Sequence, residues 1–115
     1  MATFTRVVLS GAADGTAVKV AATATAGTTI HTAHATAIDE VWLWAYNSHT
    51  ADVVLTIEFG GATAPDQNIV QTIPLKTGLV AVVPGLCLTN SLTVKAFAGT
   101  TNVITLSGYI NRIVN

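Results

Sequence analysis

An all-β fold, a single-domain antiparallel β-sandwich of eight or nine strands over residues 1–115, is predicted by three features of this sequence. Short runs of period-two apolar and polar alternation recur along the chain, Gly, Pro, Asn and Asp clusters separate them, and no stretch carries apolar residues at helical spacing. A jelly-roll winding is one arrangement open to such a sandwich.

Taken in order, Thr3 to Leu9 forms a first strand, ended by Ser10-Gly11 and by Asp14-Gly15, a pair suited to a turn with positive φ. Thr16 to Ala22 alternates as a second. Ala21 to Ala37 is nearly a low-complexity Ala/Thr tract, and two readings stay open for it: a strand from Thr28 to Thr32 between extended segments, or an arm that orders on a neighbour. Asp39 to Gly61 (DEVWLWAYNSHTADVVLTIEFGG) reads as a central hairpin, two strands joined by the polar turn Asn47 to Asp52. Ile69 to Leu75 is a strand whose Pro74 must lie at its end or on an edge. Leu79 to Val83 stops at the turn pair Pro84-Gly85. Leu92 to Ala98 and Val103 to Val114 complete the set, and Gly108 in the last marks a bulge or a close backbone contact.

Charged residues make up 10% of the chain, against roughly 25% in an ordinary soluble domain. A surface so poor in charge must be covered by Thr, Ala, Asn and Ser, or by a partner. The basic residues Arg6, Lys19, Lys76, Lys95 and Arg112 are scattered singly and the net charge is −1, which disfavours nucleic-acid binding through phosphate neutralisation. No signal peptide is apparent at the start, and the longest apolar run is cut by Pro84-Gly85, short of a membrane helix. Assembly in a reducing cytosol is expected. The lone Cys87, in Leu86-Cys87-Leu88, reads as a small buried hydrophobe.

Val41 to Tyr46 is apolar on both faces, as is Leu79 to Val83, so one face of each needs a covering surface beyond the sandwich core. Either Val41, Leu43 and Ala45 point inward and Trp42, Trp44 and Tyr46 outward, or the aromatics fill the core. The first register leaves an aromatic patch of a size that marks a binding face. The candidate interface residues are therefore Trp42, Trp44 and Tyr46, joined by Phe4, Arg6 and Val8 of the N-terminal strand. That strand, with the Ala/Thr tract as the alternative, is the least self-sufficient segment and the expected contact to a partner or a neighbouring protomer. Truncating residues 1–9 is expected to remove binding without unfolding the sandwich.

Catalytic chemistry finds no footing. His31 and His34 fall on opposite faces of a strand, and no metal-ligand spacing is present. Asp39, Glu40 and Glu58 read as solvated strand-end carboxylates. No serine has a nucleophile setting and no Gly-rich loop suits phosphate. Neither an enzyme nor a cofactor or metal site is expected.

The segments Gly27 to Ala33, Asp39 to Asn47, Leu55 to Gly61, Val83 to Leu86 and Gly108 to Ile113 together resemble small all-β virion proteins of tailed bacteriophages, in particular capsid decoration (cement) proteins. The resemblance spans nearly the whole chain. It implies a protein on the outside of an icosahedral head, assembled in the host cytoplasm, often a homotrimer at local three-fold positions, whose partner is the major capsid protein. Neck, tail and head-fibre base proteins are also small β-sandwiches. A carbohydrate-binding module with Trp42, Trp44 and Tyr46 as a stacking platform is the competing expectation, with neither membrane nor nucleic acid as partner.

Overall fold

The computed structural model describes residues 2–115, which form nine strands: β1 (Thr3–Val8), β2 (Val18–Lys19), β3 (Thr28–Thr32), β4 (Ile38–Asn47), β5 (Val53–Phe59), β6 (Asn68–Ile73), β7 (Val80–Leu88), β8 (Thr93–Ala98) and β9 (Ile104–Val114). One sheet has the order β1-β9-β4-β7, with the short β2 continuing beside β9, and the other has the order β3-β8-β5-β6. The antiparallel pairs β5:β6, β4:β7, β3:β8 and β1:β9 are nested about the β5–β6 hairpin. Rolling that nested ribbon adds the neighbours β9:β4 and β8:β5. This is the jelly-roll winding of a two-sheet sandwich.

The core lies between the sheets and is built by alternation. In β4, Asp39, Val41, Leu43, Ala45 and Asn47 are buried while the residues between them are half-exposed. Leu55 and Ile57 of β5, Val94 and Ala96 of β8, and Ile104, Leu106 and Ile110 of β9 are each fully buried. The register of the tryptophan strand is thereby decided: Val41, Leu43 and Ala45 face the core, and the aromatics do not fill it.

Several expectations are corrected. Asp39 to Gly61 is not a hairpin, because β4 lies between β9 and β7 and β5 lies between β8 and β6. The polar link crosses from one sheet to the other. Buried Asn47 holds it, donating from Nδ2 to the carbonyls of Ala51 (2.9 Å) and Ile73 (2.9 Å) and accepting from the His49 amide (2.8 Å). Nor does β7 end at Pro84-Gly85. It runs on to Leu88, because an edge strand tolerates a proline and two register shifts opposite β4 absorb the irregularity. Cys87 is exposed rather than buried.

The Ala/Thr tract resolves to β3 over Thr28–Thr32. The segment before it is bound to its own domain: the Thr25 hydroxyl and the Gly27 amide (2.6 Å) donate to the Glu58 carboxylate, and Thr28 Oγ1 accepts from the amides of Ala21 and Ala22. Glu58 is accordingly buried, not solvated. No free arm exists in this part of the chain. Asp14 and Gly15 have φ of 53° and 79°, the left-handed turn their sequence favours. The strand least enclosed is β1, exposed on both faces except at half-buried Val7.

Candidate functional site

The outer face of the β1-β9-β4-β7 sheet carries every residue singled out as a candidate interface. Outward positions of β4 (Glu40, Trp42, Trp44, Tyr46) lie opposite Asn111, Tyr109, Ser107 and Thr105 of β9, and Asn111 and Tyr109 lie in turn opposite Arg6 and Val8 of β1. Phe4 follows in the next outward row, opposite Ile113. Phe4 and Val8 are 71% and 50% exposed, large values for apolar side chains.

The aromatics form one cluster. Trp42 and Trp44 have ring centroids 6.3 Å apart, Trp42 and Tyr109 6.2 Å, and Trp44 and Tyr109 6.0 Å, with the Trp42 plane within 18° of Trp44 and 17° of Tyr109. These are favourable aromatic separations. The Arg6 guanidinium carbon lies 4.5 Å from the Tyr109 centroid, a cation–π contact. Glu40 Oε1 accepts from Trp42 Nε1 (2.6 Å) and from Asn111 Nδ2 (3.0 Å). The indole bond first and the amide bond second hold its carboxyl below the ordinary value, so Glu40 is a fixed negative charge at neutral pH. Gly85 leaves room for the cluster, since a Cβ there would come within 2.7 Å of the Trp42 ring.

Tyr109, Glu40 and Asn111 were not anticipated as part of this face. Tyr109 was legible as lying opposite the apolar Ile104, Leu106 and Ile110 series. Its neighbours were not, because they depend on β9 pairing with both β1 and β4.

A second cluster is buried. Asp39, fully enclosed rather than solvated, accepts at Oδ1 from Arg112 Nε (2.8 Å) and at Oδ2 from Arg112 Nη2 (3.0 Å), His31 Nε2 (2.8 Å) and the His34 amide (3.2 Å). Burial raises its pKa, but the bonds from Arg112, His31 and the His34 amide, with the Arg112 charge, outweigh that and lower it to about 2. The Ser10 amide donates to His31 Nδ1 (3.0 Å), which leaves Nε2–H to donate to Asp39. The Ser10 hydroxyl is not directed at this histidine; it accepts from the Thr32 amide (2.7 Å). The Ser, His and Asp are thus a polar tie between the sheets, with no nucleophile–base bond.

A shallow pocket of about 80 Å³ lies beside Glu58, Thr93 and Lys95, well below the several hundred Å³ of a typical small-molecule site. The fold and its site define a jelly-roll domain whose outer sheet face carries an aromatic cluster. Comparisons with protein-family models, curated proteins and solved structures find no match.

The division between core and face has a direct test. Leu43→Ala should cost about 3 kcal/mol in denaturant unfolding, while Trp42→Ala and Trp44→Ala should each cost about 1 kcal/mol and leave the fold intact. Equal losses from all three would mean that both faces of β4 act as core.

Proposed function

We propose that this protein is a structural subunit of a tailed-phage virion, a capsid decoration protein that binds the outer surface of the head and strengthens contacts between major capsid subunits. The resemblance of its strand and turn segments supplies the location. The observation that carries the reading is that Phe4, Arg6 and Val8 of the exposed β1 share one sheet face with Trp42, Trp44 and Tyr46. An apolar face flanked by a strand open on both sides is suited to docking on another protein surface.

The test is binding to bare heads that lack this chain, scored by co-sedimentation. The truncation must spare Leu9, which is 1% exposed and belongs to the core, so removal of residues 2–6 replaces removal of the first nine. The wild-type chain should bind, and the truncated chain should remain folded and lose binding. Failure of the wild type to bind would overturn the decoration role, and undiminished binding by the truncated chain would exclude β1 as the contact.

A second reading, a carbohydrate-binding module, is favoured by one observation: Glu40 and Asn111 lie beside the Trp42 and Tyr109 rings. It predicts quenching of tryptophan fluorescence by glycans.

A further inference from the structure

We infer that the outer face of the β1-β9-β4-β7 sheet pairs with the same face of a second copy of this chain, about a two-fold axis lying between the sheets and parallel to β9. The inference goes beyond the decoration reading, which docks this face on the head: here two copies share the face and must part before it can dock, and the inference rests on the strand registers.

Outward residues of β1, β9 and β4 stand in rows across the sheet. Val8, Tyr109 and Trp42 form one row. Arg6, Asn111 and Glu40 form the next. Phe4, Ile113 and Ile38 form the third. Neighbouring strands are about 4.8 Å apart, so the outer members of each row are separated by about 10 Å with β9 midway.

A two-fold rotation about an axis parallel to β9 keeps each row at its own height and exchanges its two ends. Arg6 then meets the second copy's Glu40, and Glu40 meets the second copy's Arg6. In the row above, Val8 covers Trp42, and in the row below, Phe4 covers Ile38. Each end of these three rows finds a partner of matching chemistry, as an isologous contact requires.

The unsatisfied groups point the same way. Among the described residues, Arg112 and His31 make the ion pairs, both with Asp39, so Arg6 has no carboxylate partner and Glu40 no cationic one. Both bonds accepted by Glu40 fall on Oε1, leaving Oε2 free to take a guanidinium. Phe4 and Val8, the most exposed members of their rows, are the side chains this contact would enclose. Aligned packing of two sheet faces is a standard geometry.

The test is solution mass by light scattering across a concentration series on the full chain, with capsid binding measured on the same preparations. Wild type should pass from monomer to dimer as concentration rises. Arg6→Glu and Glu40→Arg, each placing like charges in contact, should weaken dimerisation by at least about ten-fold, and Arg6→Glu combined with Glu40→Arg should restore it. Circular dichroism on each variant confirms folding. A monomer at all concentrations, single reversals without effect, or a double reversal that fails to recover the dimer would overturn the inference. So would a stable trimer, which needs a heterologous contact, or glycan quenching of a strictly monomeric chain. If the monomer still binds bare heads, the decoration role survives while the two-fold pair does not.

Discussion

Asp39→Ala should destabilise the protein by about 4 kcal/mol, because it removes the acceptor for a buried histidine and a largely buried arginine at once. Asp39 opens β4 directly opposite Arg112 of β9, while His31 reaches it from β3 of the other sheet. Without the carboxylate the His31 Nε2–H loses its partner in a site closed to water, and the partly exposed Arg112 guanidinium loses both of its bonds to Asp39. Chemical denaturation at neutral pH measures the loss. The acid dependence gives a second, independent readout. The Asp39 pKa falls from the ordinary 3.8 to about 2 in the folded protein, so its stabilisation is fully present above pH 4 and is lost as pH falls towards 2. The shift corresponds to about 2 kcal/mol. Asp39→Asn should flatten the stability profile in that window, and an unchanged acid limb in this variant would show that another group is responsible.

The elements and their faces were legible to different degrees, for physical reasons. Local alternation and turn chemistry located β5 within the run after Asp52, gave the bounds of β3 as one of the two readings open for the Ala/Thr tract, and gave the Asp14-Gly15 turn. Strand pairing is not local. The polar segment after Asn47 carries the same residue types whether it closes a hairpin or crosses the sandwich, and only the positions of β9 and β7 on either side of β4 exclude the hairpin. Parity in β4 was ambiguous because Val41, Leu43 and Ala45 and the interleaved aromatics are both apolar sets. The buried members at its ends, Asp39 and Asn47, are polar and argued against the register that is found. Their compensation comes from Arg112 and from the Ile73 carbonyl, 73 and 26 residues away. A carboxylate whose charged partner lies 73 residues away reads as solvated from the sequence. The outer face followed the same division: Trp42, Trp44, Phe4 and Arg6 were individually visible, but the row that joins Arg6 to Glu40 through Asn111 exists only because β9 is the common neighbour of β1 and β4.

That shared strand depends on one residue, and Gly108→Ala should cost about 3 kcal/mol or more. Gly108 interrupts the inward series Ile104, Leu106 and Ile110 of β9, opposite Leu43. A Cβ at this position would fall 1.9 Å from the Trp42 carbonyl oxygen and 3.1 Å from the Leu43 Cα. Neither is the end of a flexible side chain, so relief requires β9 and β4 to move apart at the centre of the sheet, a severe form of overpacking. The same movement would separate Tyr109 from Trp42, which face each other across these strands. Loss of stability should therefore be accompanied by a change in the near-ultraviolet circular dichroism of the aromatic cluster. Gly99→Ala is the control, since its Cβ would have nothing nearer than the Val54 carbonyl oxygen at 4.0 Å, and it should stay within about 0.5 kcal/mol of wild type. Equal stability of the two variants would mean that β9 and β4 yield at this point without cost. The aromatic face would then not depend on the close approach at Gly108.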